Sequence, residues 1–396
     1  MVINNKKQIY VDHSAGRPVD SRVIDVMLPY FKMSYGNPSS SHRLGQEAKQ
    51  AVDDSRKKIA KLINAEKPET IIFTSGATES NNLAIKGMAI RNRKKGTKIL
   101  TSAVEHMSVV NSCKALIKHG FQITFSPVDS EGLVDISKLE ENIDEQTKVV
   151  SIIFANGEVG TIQPINEISK IVHEKGAYLH VDATAVCGQI PIDVQKDEID
   201  LMTISSNDLY GPKGVGALYL KDSLRIDPLI HGGGQERGLR SGTESVSSIV
   251  GFGKAAEFAR LEKKSESKRL VKIRDNLIHG LIDPIPYAFL NGHPKNRLPD
   301  NVSVRFNFIE GESILLSLAM SGVFASSGSA CAAKTLQPSH ALIAMGLKHE
   351  EAHGSLMITL GRQSTQSDAD YIVGLIPGIV ERLRDMSPLT PKELKK

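Results

Sequence analysis

Seven short runs rich in β-forming residues, at 70–74, 98–102, 122–127, 149–154, 177–181, 201–204 and 215–220, punctuate the middle of the chain. Amphipathic stretches separate the early ones, at 79–91, 108–119 and 165–175. Strand and helix taking turns predict a mostly parallel sheet covered on both faces, because parallel strands need long crossovers and helices supply them. Such an α/β sheet collects ligands at the carboxyl ends of its strands, where the loops converge.

After residue 220 the pattern changes. A Gly-rich connection, His231-Gly232-Gly233-Gly234, leads to Arg240-Ser241-Gly242-Thr243. A long charged helical stretch follows at 248–281, then strand-like runs at 302–306 and 355–360 and a closing helix at 368–384. With 396 residues the chain is too long for one small core, so a large domain and a smaller α+β domain are expected. The tail 386–396, with two prolines and three lysines, is expected to be disordered. There is no internal repeat.

Composition narrows the function classes. The net charge of +4 is small and scattered, and the densest basic cluster, Arg91 to Lys95, sits in a turn between helix and strand, which argues against nucleic acid. Met1 to Gln8 is polar where a signal peptide needs an apolar core, and no apolar run reaches bilayer length. Three cysteines, Cys113, Cys187 and Cys331, are too few and too irregularly spaced for a disulfide framework, so a reducing cytoplasm is expected.

Four segments carry candidate chemistry. Thr74-Ser75-Gly76-Ala77-Thr78-Glu79 runs from a strand into a helix whose free amides suit a phosphate, or it is simply a well-capped helix. Asp182 ends a strand, where a carboxylate either pairs with a pyridinium nitrogen or is an ordinary turn residue. His106 ends another strand, placed to stack on a flat ring or move a proton, or to serve structure. Ala325 to Ala333 is a run of small residues around Cys331, suited to a travelling nucleophile or to a tight turn with an inert thiol. Cys113 and Cys187 lie in apolar context and read as core.

Together these segments resemble the cysteine desulfurase family, in its IscS/NifS branch, among fold-type I pyridoxal-phosphate (PLP) enzymes. The likeness also covers Tyr10-Val11-Asp12 with Pro18-Val19-Asp20, Gly36-Asn37-Pro38-Ser39-Ser40 with His42, Asn156-Gly157-Glu158-Val159-Gly160, and Gly232 through Thr243. It implies a fold-type I transferase with a seven-stranded sheet: residues 1–15 and 261–385 forming the small domain, 16–260 the large one, and a mobile cysteine loop at 321–337. It implies a homodimer that binds PLP and L-cysteine, leaves alanine, and passes sulfur as a persulfide on Cys331 to an IscU-like iron–sulfur scaffold. Ala77, Thr78, Ser205 and Asn207 would lie at the phosphate, with Thr243 reaching across the dimer. His106 would stack on the ring, Asp182 hold its nitrogen, and Asn156 contact the cofactor or substrate.

Four departures qualify that resemblance. Asp208, in Ser205-Ser206-Asn207-Asp208-Leu209-Tyr210-Gly211-Pro212-Lys213-Gly214, stands where the family has its Schiff-base lysine, and a carboxylate cannot condense with an aldehyde. Asn207 replaces a phosphate-binding histidine, Ala185 a glutamine, and Met357 the arginine that grips the substrate carboxylate. Arg362 remains, but on a strand it should not face the way Met357 does. Lys213 is no substitute anchor, because the family keeps a lysine there as well. The expectation is a pocket that holds PLP, or its amine form pyridoxamine phosphate, non-covalently and turns over cysteine poorly. Two alternatives stay open: an assembly partner whose Cys331, with Asp208, ligates a [2Fe-2S] cluster on a scaffold, and a PLP enzyme acting on another amino donor or a tRNA-bound amino acid.

Overall fold

The computed structural model describes residues 2–3, 6–328 and 338–395. Its large sheet has the seven strands expected: β1 (Ile71–Thr74), β2 (Lys98–Ser102), β3 (Gln122–Ser126), β4 (Thr147–Ile153), β5 (Tyr178–Asp182), β6 (Leu201–Ser205) and β7 (Gly216–Leu220). They lie in the order β1-β7-β6-β5-β4-β2-β3, with only β7 antiparallel to its neighbours. Because β7 runs against both β1 and β6, β1 points the same way as β2 through β6. All six therefore end at one edge.

Period-2 alternation sorts the side chains onto two faces. Ile71 and Phe73 of β1 join one core with Ala217 and Tyr219 of β7, while Ile72 joins the other with Leu218 and Leu220. Helices α1 (Arg43–Leu62) and α4 (Ile165–Glu174) contribute to the first core; α2 (Ala77–Asn92) and α3 (Met107–Ile117) contribute to the second. Cys187 packs in the first and Cys113 in the second, and burial pushes both thiols up to about 12, consistent with core residues.

One long helix, α5 (Val246–Ile282), links the two parts of the molecule. Its Ile249, Phe252, Ala256 and Ala259 belong to the large core, and its Leu270, Ile273, Leu277 and Leu281 to a separate one. That second core includes β8 (Ala288–Leu290), β9 (Asn301–Phe306), the strand β10 (Ser355–Thr359), α6 (Gln366–Met386), and Ile9 and Val11 from the start of the chain. The boundary expected at 260 thus falls inside a continuous helix. The tail expected to be disordered buries Thr390 and carries a 3₁₀ turn at Lys392–Leu394. No helix of the described residues is long and apolar enough to cross a membrane.

Glycine shapes the ligand edge. Gly216 pairs with Thr74 on one side and Ser205 on the other, and a Cβ there would lie 2.7 Å from Gly76 Cα. Gly216→Ala should therefore cost about 1–3 kcal/mol in denaturant titration, the usual penalty for overpacking. Gly374→Ala, inside α6 with nothing within 4 Å of the added carbon, should instead gain roughly 0.5–1 kcal/mol from helix propensity.

Candidate active site

The six co-directed strand ends bring the predicted residues together. At the end of β1 the chain turns through Gly76, whose φ of 148° L side chains rarely adopt, and α2 starts at once. No side chain caps this start among the described residues, and nothing lies within 4 Å of a Cβ built on Gly76, so the helix opens beside free space. Glu79 holds the turn instead, accepting from the Ser75 amide at 2.7 Å and pairing with Arg240 at 2.9 Å. Ser205, ending β6, flanks the same turn across Gly216.

Asp182 ends β5 and is buried. Asn81 Nδ2 donates to its Oδ2 at 2.7 Å, while Thr184 donates to its Oδ1 through both hydroxyl (2.6 Å) and amide (3.0 Å). Asn81 Nδ2 also donates to Ser108 Oγ at 2.8 Å, and Ser108 Oγ lies 2.7 Å from His106 Nδ1. His106 caps α3 by accepting from the Ser108 amide at 3.1 Å, so Nδ1 is the bare nitrogen and the exposed ring carries its proton on Nε2. Asn81, Ser108 and Thr184 were invisible in the sequence reading; Asn81 could have been found as an amide on the buried face of α2. Below this layer His180 is buried between the Ser151 and Thr203 hydroxyls, and burial holds its pKa down at about 4.

Glu105 was read only as a neighbour of His106. It is buried, accepts from the Ser102 hydroxyl (2.6 Å) and the Ile153 amide (2.8 Å), and leaves Oε2 without a partner. Burial pushes it up to about 8, so it is a neutral acid at pH 7. Asn156 staples two loops: its Nδ2 donates to Val104 O, and its Oδ1 accepts from the Glu158 and Val159 amides. One amide hydrogen remains for a ligand.

Position 208 departs from an amine-bearing site in charge as well as in chemistry. Asp208 is buried in the short turn Asn207–Leu209, and burial pushes its carboxyl up to about 6, against the pull of Arg17 and of the Ser205 hydroxyl. Arg17 is the residue the sequence reading missed. It is buried, donates to Asp300 Oδ2 at 2.9 Å and lies 5.2 Å from the centre of the Tyr210 ring. Asn207 is turned to the same segment, accepting from the Arg17 amide at 3.4 Å, rather than presenting that oxygen at the phosphate turn. Enclosed in this way, Asp208 is not exposed to ligate a cluster held by another protein.

Met357 stands on the face of β10 opposite Leu356 and Ile358, which are core; Thr359, on the same face as Met357, accepts from the Ser14 amide. Arg362 was expected on the strand but lies in the turn after it, where it pairs with Asp20 (2.6 Å) and Glu262 (3.0 Å) and covers Tyr210. Lys213 is exposed and lines an outer cleft of about 1030 Å³ with Tyr10 and His13. Thr243 is exposed.

Cys331 lies outside the described residues, but the residues flanking its stretch do not. Ser326 pairs with Met357; Gly328 packs against the Glu158 carboxyl; Ser339 donates to Glu158 Oε2 at 2.7 Å; and His340 Nε2 bonds the Glu105 carbonyl at 2.8 Å. Both ends of the stretch therefore meet the loops that carry His106 and Asn156.

The donor set fits PLP in part. Uncapped amides with open space above Gly76 suit its phosphate, the pinned Asp182 suits a ring N–H, and the partnerless Asn81 Oδ1 is a second buried acceptor close by. Position 208, where the resemblance expects an amine to meet the aldehyde, carries a carboxyl group instead.

Comparison with known proteins agrees with this architecture. The aminotransferase class-V family model matches residues 9–372. The chain is 56% identical over 380 residues to "Cysteine desulfurase IscS 1" of Archaeoglobus fulgidus, covering 96% of this chain and 99% of that one. It is 50% identical over 394 residues to "Cysteine desulfurase IscS" of Methanosarcina thermophila, covering 100% and 97%. A solved "NIFS-LIKE PROTEIN" superposes with a TM-score of 0.89 at 38% identity, over 95% of this chain and 100% of that one. The chain belongs to the class-V aminotransferase family. Within it, these relatives place it in the cysteine desulfurase branch of IscS and NifS.

Glu105 offers a direct check on the electrostatics beneath the site. Its folded pKa is raised, so its contribution to stability is present below the unfolded value near 4.5 and is lost as pH rises towards 8. Relative to Glu105→Gln, the wild type should lose up to about 1.4 kcal/mol per pH unit between pH 5 and 8 and then level off. Thermal denaturation of both proteins across that range measures it.

Proposed function

We propose that this chain is a sulfur-handling member of its branch, binding PLP without a covalent anchor and carrying sulfur as a persulfide on Cys331. The relatives' names supply the substrate class, cysteine, and iron–sulfur cluster assembly is the destination this reading assigns to the sulfur. The observation that carries the reading is the pinned Asp182 beside uncapped amides, with a carboxylate in place of the capturing amine.

PLP, when bound, supplies an aldehyde that takes up an amino group and a ring that draws electrons from the attached carbon. The chain's own residues do the rest. Ala77 and Thr78 amides bind phosphate, aided by Thr243 of the partner subunit in a homodimer, with Ser205 beside them at the end of β6. Asp182 keeps a proton at the ring nitrogen, and His106 covers the ring face. Cys331 thiolate attacks the substrate sulfur, so that cysteine plus enzyme thiol becomes alanine plus enzyme persulfide. The terminal sulfur then passes to an IscU-like scaffold protein.

Turnover is slow in this reading for two reasons. Asp208 cannot exchange amines with the aldehyde, and Met357 offers no charge to the substrate carboxylate. An anion at 208 also favours a protonated amine at that end of the cofactor, so pyridoxamine phosphate should bind at least as well as PLP.

Alanine and sulfide released from L-cysteine, with PLP and dithiothreitol present, test the proposal. Asp208→Lys should raise alanine formation by about 10²-fold or more, the range a positioned acid–base group supplies. Cys331→Ser should abolish sulfide release in that background. Fast turnover by the wild type, unchanged by Asp208→Lys, would contradict it.

A further inference from the structure

The phosphate turn carries a conflict of charge. Glu79 is the third residue of α2, in the same helical turn as Ala77 and Thr78, whose amides the proposed function assigns to phosphate. Its Oε2 accepts from the Ser75 amide at 2.7 Å and so fixes the residue before Gly76, where the backbone takes its φ of 148°. The turn therefore uses an acceptor at position 79. A helix start contributes only about half a positive charge, so a carboxylate on its first turn outweighs it. A phosphate monoester, with a charge of about −1.5 to −2 at pH 7, would then meet a turn of net negative sign.

Arg240 resolves the conflict. Its Nε donates to Glu79 Oε1 at 2.9 Å and its Nη2 to Oε2 at 3.5 Å. No other cation pairs with Glu79 among the described residues. Only 24% and 16% of the two side chains are exposed, so water screens the pair less than it would a surface pair. Burial alone would push the Glu79 carboxyl up; the bonds from Arg240 and Ser75 outweigh it and hold the group below its usual range.

The segment that delivers Arg240 is fastened without it. Ile230 and Arg240 form a backbone bridge, and the Ser241 amide donates to Ile230 O at 3.3 Å. Earlier in the segment, buried Glu236 accepts two bonds of 2.7 Å from Arg56 and one of 2.8 Å from the Phe73 amide of β1. Loss of the Arg240 side chain therefore removes a charge from the turn and leaves these anchors in place.

We propose that Arg240 is a positioning residue for the cofactor's phosphate that acts through Glu79: it cancels the carboxylate that holds the turn, so the start of α2 keeps the positive sign a phosphate needs. This deepens the proposed function and rests on it for the identity of the ligand, while the charge balance belongs to the turn itself. Two rival roles make different predictions. If Arg240 only placed its own segment, Thr243 included, neutralising Glu79 as well would leave that segment no better held. If Arg240 touched the phosphate, neutralising Glu79 would not restore the contact. Cancellation alone predicts that the second change undoes the first.

Equilibrium dialysis of PLP and of pyridoxal, which lacks the phosphate, tests this on the full chain at pH 7.5. Arg240→Gln should weaken PLP by about five- to tenfold, as expected for a partly shielded charge, and leave pyridoxal within about twofold. Glu79→Gln keeps an oxygen for the Ser75 amide and should bind PLP at least as tightly as wild type. Arg240→Gln/Glu79→Gln should return to within about twofold of wild type, and Arg240→Lys, which keeps the charge, should stay there too. If Arg240→Gln alone does not fold, the double variant against wild type carries the same test, because cancellation predicts their equality. A double variant well below wild type, equal losses of PLP and pyridoxal, or no loss in Arg240→Gln would overturn the proposal. Inorganic phosphate, read as a thermal shift without cofactor, separates this pairing from the function it rests on. The same order of variants with phosphate, in a protein that takes up no PLP, would sustain the pairing and defeat that function. A wild type that responds to neither would overturn both.

Discussion

The carboxylate of Asp182 is the fixed point of this molecule. A buried ionised group is costly unless hydrogen bonds replace its lost water, and here three donors reach it from two elements. Asn81 brings the start of α2, and Thr184 the loop after β5. Through Asn81 and Ser108 the bonding continues to His106 at the start of α3. Two helix starts and two strand ends are thereby locked in one arrangement, and α2's free amides are aimed by the same contacts. Geometry of this kind suits a flat, phosphorylated, nitrogen-containing ring.

Around that point the fold has been kept while its chemistry has been altered. The turn at Asn207–Leu209 and the closely approaching glycines at 76 and 216 serve the same sheet edge. Yet position 208, expected to meet an aldehyde, carries an acid, and a buried cation from a distant part of the sequence, Arg17, lines the same small cavity.

Much of this was readable from the chain. All seven strands and the helices α2, α3, α4, α5 and α6 fall within a few residues of their expected places, because apolar periodicity is strong where both sheet faces are buried. Asp182 and His106 were singled out because strand ends are where ligands bind in such sheets. Hidden from that reading were partners set by tertiary contact. Asn81 and Ser108 are ordinary helix residues until α2 and α3 pack together, and Arg17 looks like any loop arginine until Asp300 and Tyr210 close on it. Asn207 was expected at the phosphate; instead its oxygen faces Arg17, a contact spanning most of the large domain in sequence. The tail after α6 was taken for disorder on composition, which carries no information about a threonine that docks.

The central claim is that the pocket accepts PLP while no amine of the chain captures it. Borohydride reduction of the PLP-loaded protein, followed by peptide mass spectrometry, tests this most directly. The account predicts saturable binding with no residue bearing a reduced phosphopyridoxyl group. A stoichiometric adduct on Lys213, Lys263 or any other lysine would contradict it.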